Sequence, residues 1–326
     1  MINSTENQKK EIQTNRSICG FWRRLIAFMV DGVILAVVGK GLGLLFGSIF
    51  AQMGGTGPLV GFGVYVLYFG ILHSPIGKGQ TLGKKLLKIR VVNARGKYIS
   101  FTKALLRASI IGIFFCLSAV NSLLVSDTAI LVNSILCIIV GAGIIYFYLF
   151  NRITRQSIHD LISRSFVVKA DAEDRSISLT IWRKHYLIYS SIILILVIGS
   201  LFLYSKQLET RVMSMLNLQN ELKRIDGVND ASVDVVRVTS LQDNRTADQL
   251  AVTVYVKRKP LSYRDMQNDV AKLVLEKYPV TNIQSVHVKI SNGYDIGIAK
   301  SFQSSILSFT PGNWEKRIYA EEWTAF

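Results

Sequence analysis

Apolar residues in this chain gather into five long runs divided by polar connections, and after the fifth run the pattern changes to short alternations. The runs are Leu25–Phe50, Pro58–His73, Leu105–Val125, Thr128–Phe150 and Tyr186–Tyr204. A helix needs about 20 residues to cross a hydrocarbon core ~30 Å thick, so each run predicts a membrane-spanning helix. The second is short. The first is long and carries Gly39, Gly41, Gly43 and Gly47, which favour a kink or a close approach by another helix.

Beyond Tyr204 the apolar positions thin out and turn periodic. Lys206–Arg224 and Ser262–Lys277 carry them at helical spacing, and Ser262 followed by Asp265 reads as a helix cap. Ala231–Val238, Leu250–Val256 and Val286–Ile290 alternate as strands, Leu241–Asp248 reads as a loop, and Asn292–Asp295 as a turn. The order α-β-β-α-β predicts a small α+β layer with two helices on a three-stranded sheet. Ferredoxin-like and ring-building modules share that order. The aromatic tail from Ser301, including Phe302, Phe309 and Trp314, is expected to cover this domain's own core. The fold class is therefore an α-helical membrane bundle of five transmembrane helices followed by a small α+β domain. The predicted divisions are an N-terminal segment 1–20, a four-helix membrane domain 21–168, a linker and fifth helix 169–204, and a terminal domain 205–326.

Charge orients this layout. The chain is strongly basic, with 38 Lys and Arg against 22 Asp and Glu and a formal charge of +16. The basic residues cluster before the first run, in Ser74–Arg107, which has no acid at all, and in Asn151–His185. The connections Ala51–Gly57 and Ser126–Asp127 hold none. Basic loops stay in the cytoplasm. All three basic segments share one side only if five helices cross and the N-terminus is inside, which places the terminal domain outside a bacterial inner membrane. Basic residues beside apolar spans point to a lipid bilayer that includes anionic lipids, and not to nucleic acid. Met1–Ser17 is polar and the run after it is too long for a cleaved signal, so the first span reads as uncleaved.

The polar residues inside the runs are the candidates for function. Arg24 and Asp31 lie seven apart, on one helix face, with Asp31 roughly 10 Å deeper. A carboxylate at that depth has to face the bundle and find a partner. It is either a helix-locking anchor or an ion or proton site. Lys40 is out of phase with Asp31 and points elsewhere, against another span or at a helix break. Asn133 suits an interhelical hydrogen bond. His159 and Asp160 fall in a stretch that reads as one amphipathic turn at the membrane surface, followed by a strand at Ser165–Val168. A carboxylate beside an imidazole tunes its titration, although a surface-anchoring turn is the simpler reading.

Other chemistry is thin. Gly77–Lys85 resembles a phosphate-binding loop but lacks its spacing and its Ser or Thr. Leu86–Val92 and Lys97–Phe101 flank a turn at Asn93–Gly96 and predict a small cytoplasmic hairpin. Cys19, Cys116 and Cys137 give neither a disulfide framework nor a metal spacing. With no nucleophile–base pair and no cofactor fingerprint, the expectation is a protein that is not an enzyme and needs no cofactor or metal.

Three blocks, GFWRRLIAFMVDGVIL (Gly20–Leu35), GQTLGKKLLKIRVVNARGKYISFTKALLR (Gly79–Arg107) and RQSIHDLISRSFVV (Arg155–Val168), resemble the RDD family of bacterial membrane proteins. The resemblance covers residues 20–168, and the family's arginine and two aspartates fall on Arg24, Asp31 and Asp160. It implies a membrane protein, for which transport is often presumed and sodium/proton exchange has been linked to some members. The fifth span and the terminal domain depart from the simplest family pattern. The three residues are expected to form one polar cluster with Arg24 between the acids, either binding a cation or proton or locking helices. Two functions follow. One is transport of an ion or small solute. The other is a membrane-anchored assembly or interaction protein that binds a partner or forms a homo-oligomer.

Overall fold

The computed structural model describes residues 18–123, 127–172, 177, 180–207, 211–239 and 246–324. They divide into two compact units. One gathers the described residues up to Lys40 with Pro58–Ser200, and the other comprises Gly41–Gly57 and the described residues from Leu201 onward.

The first unit is helical. Its elements are α1 (Phe21–Met53, of which it holds the part up to Lys40), α2 (Pro58–His73), α3 (Leu82–Leu86), β1 (Ile89–Asn93), α4 (Phe101–Leu123), α5 (Asp127–Phe150), α6 (Ile158–Ser163), β2 (Ser165–Lys169) and most of α7 (Lys184–Gln207). Among the described residues three helices are long and apolar enough to cross a membrane: Phe21–Thr56, Leu131–Phe150 and Lys184–Phe202. Pro58–His73 is a shorter apolar helix. Large apolar side chains lie exposed along these helices, among them Val33, Val37, Ile145, Leu187 and Ile195. Water does not tolerate so much continuous apolar surface on a helix, whereas lipid does. The helical dihedrals of α1 break at Phe46, within its glycine-studded half.

Helix ends converge beside a small two-stranded sheet. β1 pairs antiparallel with β2, from Ile89 opposite Lys169 to Asn93 opposite Ser165, and Ile18 adds a bridge to Val168. This corrects the predicted local hairpin: Ile89–Asn93 finds its partner some 75 residues away, and the chain after the turn enters α4 instead of returning as a strand. The sheet buries Ile89, Val91 and Val167 with Cys19, Ala27, Ile99 and Ala104. Side chains near the start of α1 and α4 and at the end of α2 meet around α6, and Tyr146 near the end of α5 bonds His185 near the start of α7. Successive long helices therefore alternate in direction.

The second unit has a mixed four-stranded sheet in the order β3-β4-β5-β6: Val228–Thr239, Thr246–Val256, Ile283–Asp295 and Lys300–Phe309. The outer pairings are antiparallel and β4–β5 is parallel, as a helical crossover between them requires. Helices α8 (Arg211–Leu222), α9 (Tyr263–Lys277) and α10 (Pro311–Thr324) cover the sheet. The order is α-β-β-α-β-β-α, one strand and one helix more than the periodicity suggested. Asn292–Asp295 continues β5 and is not a turn. Phe302 and Phe309 belong to β6, and Trp314 of α10 is fully buried with its indole N–H donated to the Val286 carbonyl at 2.9 Å. Alternate residues of β4, Leu250, Val252, Val254 and Val256, point into the core. Ser262 caps α9 by accepting from the Asp265 N–H. Of the predicted loop, residues 241–245 lie outside the described residues, and Thr246–Asp248 belong to β4.

Candidate functional site

The polar centre of the first unit is built where helix ends meet, and its charged residues Arg24, Asp31, Lys84, Arg107 and Asp160 are all buried. Asp160 sits in the first turn of α6, fully buried, with Ser157 at the N-cap and Arg164 in the left-handed region ending the helix. Its Oδ1 accepts from Arg107 Nη2 at 2.7 Å and Nε at 3.0 Å, and from Ser165 Oγ at 3.3 Å. Its Oδ2 accepts from Arg24 Nη1 at 3.1 Å and from the Ser157 N–H at 3.3 Å. Arg24 also donates to the carbonyls of Arg155 and Val167. One carboxylate thus ties α1, α4 and α6 together and anchors β2 through Ser165. Burial opposes ionisation of Asp160, but His159 and the Arg107 and Arg24 guanidiniums outweigh it and hold the carboxyl well below the usual carboxylate range.

Asp31 is a separate knot. Its Oδ1 accepts from the Tyr68 hydroxyl at 2.8 Å and the Gly83 N–H at 2.8 Å, and its Oδ2 from the Thr81 hydroxyl at 2.5 Å. Thr81 in turn accepts from the Lys84 N–H as the N-cap of α3. Asp31 therefore clamps the start of α3 against α1 and α2. The approach is so close that a Cβ at Gly83 would strike the Ala27 carbonyl oxygen. Gly83, met in the sequence as part of a failed phosphate loop, is needed for this contact.

Between the two knots lie cations and imidazoles. Arg107 Nη1 reaches His73 Nδ1 and Arg107 Nη2 reaches His159 Nε2, each at 3.1 Å. A guanidinium only donates, so those ring nitrogens accept, and the imidazole protons sit on His73 Nε2 and His159 Nδ1. Both of these atoms, and Arg24 Nε, are buried without a hydrogen-bond partner. Lys84, 6% exposed, places Nζ 5.6 Å from the centre of the Phe69 ring. Burial, seconded by Arg107, brings the Lys84 ammonium down to about 7, although Asp31 and Asp160 pull the other way. Burial likewise holds the His159 imidazolium down to about 3 against the pull of Asp160, so the ring is neutral near pH 7.

These groups border a cavity of about 310 Å³. Arg24, His73, Lys84, Arg107 and His159 give it a polar floor, and Phe21, Leu25 and Phe28 of α1 face Ile144, Ile145 and Leu149 of α5 as apolar walls. Several wall residues, including Phe28, Ile145 and Leu149, are exposed, so the cleft opens between α1 and α5.

The structure brings Arg24, His159 and Asp160 together, and sets Asp31 apart on its own donors. Arg24 pairs with Asp160 and does not bridge the two acids. His159 and Asp160 are buried in the bundle and not displayed on a surface turn. Lys40 is exposed, on another face of α1 from buried Asp31. Asn133 is half-buried near the far end of α5, roughly 22 Å along the helix from Tyr148. Arg107, Lys84, His73, Tyr68, Thr81 and Gly83 went unrecognised as site residues. Lys84 and Arg107 belong to the basic segment that reads as topology, and nothing in their spacing separates them from solvated neighbours.

Apolar helices pinned at one end by a buried aspartate between two arginines define an integral membrane protein whose polar centre lies where its helix ends meet. Comparison with known proteins gives it a family. The RDD family profile matches residues 18–164. Two Bacillus subtilis (strain 168) proteins are similar to it: uncharacterized protein YxaI, 31% identical over 102 residues (25% of this chain, 67% of YxaI), and uncharacterized protein YckC, 25% identical over 151 residues (46% and 84%). The chain belongs to the RDD family.

Proposed function

We propose that the apolar helices form a five-span bundle of a bacterial inner membrane, N-terminus in the cytoplasm and terminal domain outside, and that the bundle binds a small solute or ion during transport. The observation that supports this best is the cavity with Lys84, Arg107, Arg24 and two neutral histidines on its floor. Five alternating helices agree with the basic loops on one side. Every oxygen of Asp31 and Asp160 already accepts from the protein. A cation seated on either acid has to displace those donors, so both are assigned to locking helices, and the solute is assigned to the cationic floor. No enzymatic role is proposed.

Proteoliposomes of the full chain test the reading. Uptake of small labelled anions is expected above that of empty vesicles, and to fall in Lys84→Met. Asp31→Asn is expected to lower the yield of folded protein. Normal insertion of Asp31→Asn with flux abolished would return the ion site to Asp31.

A second reading is favoured by the terminal domain, which has its own apolar core beneath a mixed four-stranded sheet. Here the bundle is an anchor, and the domain binds a partner or a second copy outside the membrane. Truncation after residue 204 separates the two readings. Retained flux assigns the activity to the bundle; loss of function with normal insertion assigns it to the domain.

A further inference from the structure

We propose that the cleft between α1 and α5 is a binding site for an anionic amphiphile, an oxyanion head on an alkyl chain, with the head on Lys84, His73, His159 and Arg24 and the chain between Phe28, Ile145 and Leu149. The inference rests on the reading of this cavity as the working site of the bundle, and gives that site a ligand class.

The hydrogen-bond inventory carries it. Arg107 forces both imidazoles into tautomers whose remaining N–H groups, on His73 Nε2 and His159 Nδ1, have no protein acceptor. Arg24 Nε–H is a third such donor. All three residues border the cavity and are at least 95% buried. A buried donor left unsatisfied costs about 1–3 kcal/mol, so three beside one cavity call for an acceptor. Among the described residues these three atoms have no acceptor, and the carboxylates nearby, Asp31 and Asp160, accept from other groups and do not border the cavity. The local charge agrees. Arg24, Lys84 and Arg107 face only Asp31 and Asp160, which leaves one positive charge over while Lys84 is protonated. An oxyanion accepts from several donors at once and neutralises that charge.

The walls specify the rest. A free inorganic anion needs a polar surround, whereas the surfaces above the floor are aliphatic and aromatic and open between two helices that expose apolar side chains to lipid. A volume of about 310 Å³ lies at the lower end of small-molecule sites, so it suits a head and one chain lying partly in the bilayer. Lys84 titrates at about 7, within a ring of Asp31 and Arg24 on α1, His73 on α2, Arg107 on α4, and His159 and Asp160 on α6. Affinity is therefore expected to weaken as pH rises through about 7, when the surplus charge is lost.

Binding is measured with the full chain in phosphatidylcholine nanodiscs, using radiolabelled palmitate as the probe and hexadecanol, inorganic phosphate and phosphatidylglycerol as competitors. Palmitate is expected to bind saturably, more weakly at pH 8.5 than at pH 6, and at least tenfold more weakly in Lys84→Met. Ile145→Trp, at a position 62% exposed and so free of folding consequences, is expected to block the chain's path and abolish binding while the unfolding midpoint stays unchanged. Competition by phosphatidylglycerol identifies a lipid headgroup as the occupant, and its failure identifies a free single-chain acid. Equal competition by hexadecanol removes the anionic head, equal competition by phosphate removes the chain, and binding unchanged in both variants removes the site. Palmitate binding without flux leaves this assignment standing and ends the transport reading; anion flux without palmitate binding does the reverse.

Discussion

The two units hold themselves together by different physics. The first is centred on charges: Arg24, Arg107 and Asp160 joined by hydrogen bonds of 2.7–3.1 Å, and Asp31 on three donors. The second is centred on hydrocarbon, from Leu218 and Leu222 through Val252 and Val288 to Trp314. The contrast follows from the surroundings. In water, burying apolar area is the main driving force of folding. Lipid tails are as apolar as the side chains, so that force vanishes between membrane helices, and directional polar bonds with close packing have to define the arrangement. Among the described residues the first unit's buried apolar clusters gather around the small sheet, at Ile89, Val91 and Val167 and at Ile18, Val92, Phe166 and Val168.

The contrast is most exposed at Asp160. Asp160→Ala leaves two buried guanidiniums unpaired, a loss on the order of 3–5 kcal/mol. Thermal unfolding and gel filtration in detergent are expected to show the bundle lost, while protease resistance of the terminal domain persists. Equal damage to both units would erase the distinction.

Lys84→Met moves the other way. The ammonium is held down to about 7 in the folded chain, from an ordinary value of 10.5. Between those values the unfolded chain binds more protons, so wild-type stability rises with pH there and its penalty is complete below about 7. The variant is expected to be more stable at pH 6.5 by on the order of a few kcal/mol, with the gap narrowing toward pH 10. A pH-independent gap would assign the effect to packing alone.

Leu250→Ala deletes a fully buried side chain of the terminal core and is expected to cost about 3 kcal/mol. Hydrogen exchange should localise that loss to the sheet and its three helices, with the bundle's exchange unaltered. Gly83→Ala is the gentlest of the set, at about 1–3 kcal/mol, because α3 has to back away from the Ala27 carbonyl. Loosened protection of the Gly83 amide, which donates to Asp31, is the corresponding signal.

Arg24 and Asp31 were legible in the sequence because charge amid apolar residues has to be explained locally, and Asp160 joined them through the resemblance of Arg155–Val168 to the RDD family. Their pairing was not. Positions 24 and 31 share a helix face, which suggests partnership, yet the guanidinium turns to an aspartate 136 residues on. Lys84 and Arg107 were hidden by company: a basic loop reads as a topological signal, and only folding shows which of its members are taken out of water.

Hydrophobic runs, their lengths and the asymmetry of lysine and arginine determined by themselves that several helices are apolar and that an α+β domain follows, because burial periodicity is a local property of the chain. Tertiary structure alone decided that β1 joins β2, that a fourth strand extends the terminal sheet, and that Arg107 sets the tautomers of two histidines. Those outcomes depend on which distant groups become neighbours once water is excluded, and pairing across long separations leaves no periodic trace in a single sequence.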